Sequence, residues 1–245
     1  MHRFFICNDD IKKGGIVITG DNVTHISKVL RLKGNDKIIL CDGEGTDYIV
    51  QIDSIDKYAV RTTILHKEAS VGEVSIDVVV YQGIPKSSKM DLIIQKATEI
   101  GVKRIVPVLT KRTVVKLSTR KDELKKVERW QKIAEEAAKQ SNRGKVPIID
   151  IPMTFEESVD EASSKDLSLI PYEQEKNNTL KQIIKGKNPK SVGIFVGPEG
   201  GFEPDEIQYA INNNIIKITL GNRILRTETA GFVVLSCIMY EFDQM

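Results

Sequence analysis

Residues 192–196, Val-Gly-Ile-Phe-Val, run straight into Gly197-Pro198-Glu199-Gly200-Gly201-Phe202-Glu203, and residues 215–220, Ile-Ile-Lys-Ile-Thr-Leu, run into Gly221-Asn222-Arg223-Ile224-Leu225-Arg226-Thr227-Glu228-Thr229-Ala230-Gly231. Each apolar run has strand length and stops at glycine, and each loop leads into a helical pattern, over 204–212 and about 228–242. Strand, loop and helix in that order is the unit of an α/β fold around a largely parallel sheet. The alternation extends backward through strands at 75–81, 104–109, 146–151 and 167–170. Helices are predicted between them. Ser88 opens one that carries Met90, Ile93, Ile94, Ala97 and Ile100 on one face and ends at Gly101. A long charged helix over 122–140 has a narrow stripe of Leu124, Val127, Trp130, Ala134 and Ala137. Thr154-Phe155-Glu156-Glu157 is a capping box, and a short helix covers 178–184.

Upstream of residue 74 the pattern is different. Short β-branched runs at 4–6, 15–19, 37–41, 48–52 and 59–65 alternate with turns such as Gly14-Gly15 and Asp42-Gly43, which predicts a small β-barrel. One helix interrupts it, capped by Asp21 or Asn22, with Val23, Ile26, Val29 and Leu30 at helical intervals. Residues 67–73 lack periodicity, so the expected domains are 1–72 and 73–245.

The 245 residues are 40% hydrophobic and 29% charged, a balance that excludes disordered and collagen-like chains. The longest nearly apolar stretch, 231–240, is half of what a membrane-spanning helix needs, and the N-terminus reaches Asp10 without a secretory core, so the cytoplasm is the expected compartment. Cys7, Cys41 and Cys237 are widely spaced and read as reduced core thiols; no metal site is expected from them or from the three histidines. The net charge of +2 conceals a segregation: between Lys86 and Lys145 there are seventeen Lys and Arg against seven Asp and Glu. A solvated helix face explains part of this excess, and a polyanionic partner such as nucleic acid explains more.

In open α/β sheets ligands bind beyond the carboxyl ends of the strands, so the loops after residues 170, 196 and 220 are the expected site. Three glycines in five positions let backbone approach a ligand closely. Neither G-x-G-x-x-G nor Gly-Lys-Ser/Thr is present. Glu199, Glu203, Asp205 and Glu206 surround the helix start where a phosphate would otherwise sit, which favours a cofactor with a positive centre and no phosphates, such as S-adenosylmethionine. An ordinary strand-to-helix turn with Pro204 at the first helical position is the plain alternative. Thr227 is the expected N-cap of the last helix, with Arg226 just outside it, free to bind a carbonyl or phosphate or paired with Glu228 or Glu199.

The Gly197–Gly201 loop, the Leu225–Ala230 segment, Arg3-Phe4-Phe5, and His25 to Arg31 together resemble the 16S ribosomal RNA uracil-N3 methyltransferases of the RsmE type. Thr98-Glu99-Ile100-Gly101, Arg112, and Glu135, Ala137, Gln140 and Arg143 extend the match along the whole chain. The resemblance implies an N-terminal PUA-like β-barrel, a C-terminal SPOUT α/β domain with a trefoil knot, and a homodimer acting on 16S ribosomal RNA of the small subunit. It also implies that S-adenosylmethionine is held by Ile170, Pro171, Gly197, Pro198, Glu199, Gly200, Gly201, Leu220, Gly221, Ile224, Leu225, Arg226, Thr227 and Ala230. A family serine is replaced by Glu203, a poorer N-cap. N3 methylation requires loss of the imide proton and stabilisation of charge on O2 and O4; Arg226 is assigned to the charge and Glu199 or Glu228 to the proton. Expected RNA contacts are Arg3, Arg31, Lys86, Lys89, Arg112 and Arg143, and a valine at Gly200 is expected to block the cofactor. The rivals are a SPOUT enzyme acting on a ribose 2′-OH or another base, and a non-enzymatic RNA-binding assembly factor.

Overall fold

A computed structural model describes residues 1–7, 10–12, 14–115 and 119–245. The chain divides into two units, Met1–Glu73 with Ala138–Val146, and Val74–Ala137 with Pro147–Met245. The return of 138–146 to the first unit has no periodic signal in the sequence; it follows from buried contacts made there by Arg143 and Gly144.

The first unit is a six-stranded curled sheet in the order β1-β4-β5-β6-β3-β2. Its strands are β1 Arg3–Phe5, β2 Ile11–Lys12, β3 Gly15–Ile18, β4 Lys37–Cys41, β5 Thr46–Ile55 and β6 Val60–Ala69. β1 and β4 are parallel and the other pairs antiparallel. Register shifts at Ile49/Val50 and Ile52/Ser54 curl the long β5–β6 ribbon around Phe4, Ile16, Ile18, Ile38, Leu40, Val50, Ile52 and Val60. The expected barrel is therefore a half-barrel, because β1 and β2 do not pair with each other among the described residues.

Helix α1, Asp21–Thr24, continues as a π-helical turn, His25–Val29, that caps this core with Val23 and Ile26. The wider turn carries Val29, expected inside, off the core face, where it is 66% exposed, while Leu30, also expected there, packs inward. Of the three expected core thiols only Cys41 is buried; Cys7 is exposed in the loop after β1, and Cys237 is exposed on the helix near the C-terminus, whose opposite face does the packing.

The second unit is an all-parallel sheet, order β10-β8-β7-β12-β11-β13, with the short β9 pairing β8. The strands are β7 Asp77–Gly83, β8 Arg104–Leu109, β9 Ile148–Ile149, β10 Met153–Thr154, β11 Leu167–Pro171, β12 Ser191–Val196 and β13 Ile216–Ile218. The helices are α2 Lys89–Ile100, α3 Arg120–Gln140, α4 Phe155–Ala162, α5 Leu180–Ile184, α6 Pro204–Asn212 and α7 Thr227–Glu241. The central strands are buried on both faces, which is why they read as continuous apolar runs. One face packs Val79, Tyr81 and Phe195 against Phe155, Val159, Ile207 and Ala210 of α4 and α6. α7 lies along β12 and packs on α2.

The sheet order places β11 between β12 and β13, so the chain leaving β13 must cross the end of β11 to bring α7 back to β12. That crossing stacks the loops after β11, β12 and β13 at one end of the sheet. Segment 175–180 is laced to β13 on the way: the Thr219 N–H donates to Asn178 O at 2.8 Å, and Lys217 pairs with Glu175 at 3.1 Å.

Candidate functional site

The three loops enclose a cleft of about 990 Å³. Its walls are Pro171 to Glu173, Glu175, Lys176 and Thr179 after β11, Val196 to Phe202 after β12, and Thr219 to Thr227 with Ala230 after β13; Lys89 completes it. Of the residues expected to hold a cofactor, Ile170 alone is absent from the wall; it is fully buried in the core beneath, because its strand position points it into the sheet's packing layer.

The glycine loop folds tightly on itself. The Gly201 N–H donates to Pro198 O at 2.9 Å, and a Cβ on Gly197 would stand 3.0 Å from Gly201 Cα and 3.2 Å from Phe202 Cε2. Only bare backbone fits, so the loop offers peptide groups to the cleft. A Cβ on Gly200 would meet the Arg112 side chain at 3.3 Å. The expectation that a valine there would enter the ligand space is corrected: it would push on Arg112.

Thr227 is not the N-cap of α7; Arg226 occupies that position, with φ −66° and ψ 156°. The Thr227 hydroxyl donates to Gly197 O at 2.6 Å and accepts from Gln82 Nε2 at 3.0 Å, tying β7, the glycine loop and α7 together. Gln82 was missed by the sequence reading. Its signal is a fully buried amide ending an otherwise apolar strand, and its Oε1 has no hydrogen-bond partner among the described residues.

Arg226 is exposed and pairs with no carboxylate among the described residues. The two acids that could have held it are bound to Lys89, whose Nζ lies 2.9 Å from Glu199 Oε1 and 3.8 Å from Glu228 Oε2. Burial opposes the charged form of Glu199, but hydrogen bonds from Lys89 and from the N–H groups of Glu199 and Lys86 outweigh it and hold its pKa below the usual carboxylate range. Glu228 lies outside the cleft wall, and its buried Oε2 takes no hydrogen bond.

Arg112 crosses to the loop from the segment after β8. Its guanidinium donates to Gly200 O at 2.5 Å and pairs with Glu203 at 2.9 Å, which holds the Glu203 carboxyl below its ordinary pKa. The glutamate in the cap position is thus drawn to Arg112, while Glu206 accepts the Glu203 N–H at 2.8 Å and secures the start of α6.

The expected RNA contacts divide sharply. Lys86 and Arg31 are exposed. Lys89 and Arg112 are engaged at the cleft, and Lys116 of the basic segment lies outside the described residues. Arg3 and Arg143 are corrected. Arg3 makes a bidentate pair with Asp47 at 2.6 and 2.7 Å, and Arg143 reaches Glu73 at 3.1 Å, with side chains only 7% and 3% exposed. Buried guanidiniums that satisfy buried carboxylates cannot also reach phosphates. Further exposed cations lie on α3, where Lys121, Lys125 and Lys132 have no ion-pair partner among the described residues.

Glu175 anchors the outer wall. The N–H groups of Asn177 and Asn178, followed by Lys217, bring its pKa down to about 2. A depressed folded pKa contributes stability that is complete above the unfolded value near 4.5 and fades as pH falls towards 2. Glu175→Gln is therefore expected to melt below the wild type at neutral pH, with the gap closing between pH 4.5 and 2; a gap independent of pH would show that the carboxylate charge is not what anchors the wall.

The walls fit S-adenosylmethionine: bare peptide groups and apolar side chains suit an adenosine, while Glu173 and Glu199 beside the glycine loop suit a sulfonium and disfavour phosphate. A family model described as an RNA methyltransferase domain matches residues 72–239, and one described as an RNA methyltransferase PUA domain matches residues 18–65. Ribosomal RNA small subunit methyltransferase E of Bacillus subtilis is 35% identical over 231 residues, covering 92% of this chain and 90% of that protein. Its counterpart in Mesomycoplasma hyopneumoniae is 35% identical over 239 residues, covering 97% and 99%. The crystal structure of a ribosomal RNA small subunit methyltransferase E from Neisseria gonorrhoeae bound to S-adenosyl methionine has a TM-score of 0.88 at 30% identity, covering 98% of this chain and 97% of that one. With a PUA-like sheet ahead of a SPOUT α/β unit, the chain belongs to the ribosomal RNA small subunit methyltransferase E family.

Proposed function

We propose that the protein methylates N3 of a specific uridine in 16S ribosomal RNA, using S-adenosylmethionine. The observation that carries this reading is the meeting, in one cleft, of a backbone-lined glycine loop and the unpaired guanidinium of Arg226. The cofactor supplies an electrophilic methyl group when bound. Pro171, Gly197 to Gly201, Leu220, Gly221, Ile224, Leu225 and Thr227 would hold it, which leaves the Arg226 side chain to the substrate. Arg226 faces the uracil and stabilises charge spreading onto its carbonyls. Glu199, kept ionised and occupied by three donors, anchors the loop and is a weak base. Glu228, whose side chain beside Lys89 is 14% exposed, takes the N3 proton through water. Because N3 lies on the Watson–Crick edge, the uridine must be unpaired or extruded, and Arg31, Lys86 and the lysines of α3 guide the strand.

The test is to map modified nucleotides in small-subunit RNA from cells with and without the protein. Loss of one N3-methyluridine is expected. A lost ribose or other base methylation would replace the target, and an unchanged map would leave only RNA binding. Such a substrate places the protein in the cytoplasm. A homodimer belongs to the same reading, since α7 keeps Phe232, Val233 and Phe242 only half-buried and Tyr240 76% exposed after packing its inner face. Light scattering at micromolar concentration is expected to report twice the chain mass; a monomer would remove the dimer.

A further inference from the structure

Lys89 joins three elements of the second unit. It begins α2, its ammonium touches Glu199 in the glycine loop, and it approaches Glu228 in the first turn of α7. It also lines the cleft that holds Arg226, with its side chain 33% exposed. The sequence suggests a phosphate contact for it. Two carboxylates around one ammonium leave a net negative charge, which repels phosphate, so that role does not fit the geometry.

The donor count points elsewhere. An ammonium has three N–H bonds. Glu199 takes one at 2.9 Å, and Glu228 at 3.8 Å stands beyond hydrogen-bond length, so donor capacity remains for a ligand in the cleft. The Lys86 N–H holds the Glu199 carboxylate at 3.1 Å, fixing the group that aims the ammonium. The reacting uracil nitrogen lies between two carbonyls, and the charge left when its proton departs spreads onto both, so there is work for a second cation.

We propose that Lys89 is a second catalytic cation, donating to one uracil carbonyl beside N3 while Arg226 donates to the other. The inference rests on the uridine-N3 reading above. The N3–H bond breaks with its electron pair left on the uracil, and the proton ends on the Glu228 carboxylate. That pair forms the new N3–C bond as the methyl group's bond to the sulfonium sulfur breaks with its electrons left on sulfur, so that a neutral thioether leaves. The charge of the Lys89, Glu199, Glu228 and uracil cluster stays constant through the proton step, so the two acids do not oppose it. Lys89 balances the uracil anion at the moment Glu228 loses its charge.

The test compares wild type, Lys89→Met and Lys89→Arg in single-turnover methylation of small subunits carrying ordinary 16S RNA or 16S RNA made with 5-fluorouridine, whose N3 proton is more acidic. Lys89→Met is expected to slow the step by about 100-fold on ordinary RNA, the scale of losing one such donor. The defect should shrink several-fold on fluorinated RNA, which needs less charge stabilisation, and Lys89→Arg should recover part of the rate. Calorimetry should show S-adenosylmethionine affinity retained. An unchanged rate, or an equal loss on both RNAs accompanied by weakened cofactor binding, would overturn the catalytic role and leave Lys89 as a strap between α2 and the loop. If Lys89→Met does not fold, Lys89→Arg decides: a defect that shrinks on fluorinated RNA supports the role, and one that does not overturns it. The wild type judges the underlying reading separately, because failure to form N3-methyluridine on ordinary RNA would overturn that reading whatever the variants do.

Discussion

Arg226→Ala is expected to slow single-turnover methyl transfer by about 10²-fold or more, with the fold and cofactor affinity intact. The residue sits at the N-cap of α7 in extended geometry, exposed and without an acid partner among the described residues. Its structural contribution is a backbone one: its carbonyl accepts the Ala230 N–H at 2.8 Å, and alanine keeps that bond. Arg226→Lys separates charge from shape, since it keeps the cation and loses the planar fork. A rate near the alanine variant would mean that bidentate geometry carries the effect, and one near wild type would mean that charge does. A normal rate for folded Arg226→Ala would remove it from the chemistry, and a defect confined to RNA affinity would make it a substrate-binding residue.

The largest stability loss is expected at Arg143. Its guanidinium is buried against Glu73, and the same carboxylate accepts the Lys145 N–H at 2.9 Å. Arg143→Ala leaves that largely covered carboxylate without its cation, a change that costs about 3 kcal/mol, the lower end for a buried pair. For a chain of this size that is a fall in Tm of roughly 10 °C. Replacing both partners together by apolar residues should recover much of the loss, because no unpaired charge is then buried. RNA affinity that falls while Tm holds would restore Arg143 as a phosphate contact. The neutralisation of Arg112 with Arg143, which the charge count suggests as a probe of RNA binding, would test instead the pinning of Gly200 and the stability of the first unit.

Local signals carried far in this chain. β8 and α6 lie at their expected boundaries, and Thr154 makes its capping box with Glu157, because hydrophobic period and cap chemistry act over a few residues. The π turn was invisible: Val29 is spaced for an α-helix, and only packing against the curled sheet shows the longer turn. Gln82 was passed over because one amide at the end of an apolar strand has no periodic signature. Its importance appears only when Gly197 and Thr227 come to lie over it.

Composition, glycine spacing and the order of motifs by themselves pointed to an α/β fold behind a β-rich segment and to the loops after β11, β12 and β13, whereas the return of 138–146 to the first unit had no signal. The legible features depend on which backbone conformations and which buried faces each segment permits, and a linear string records both. Tertiary structure decided the partners of the charges. Arg3, Lys89, Arg112 and Arg143 look alike in sequence, yet two are buried in ion pairs, one pins the glycine loop, and one stands between two carboxylates in the cleft. A guanidinium or ammonium on a long side chain takes its role from the carboxylate that folding brings within about 3 Å, and here those carboxylates lie 44 to 110 residues away in the chain, beyond the reach of any local pattern.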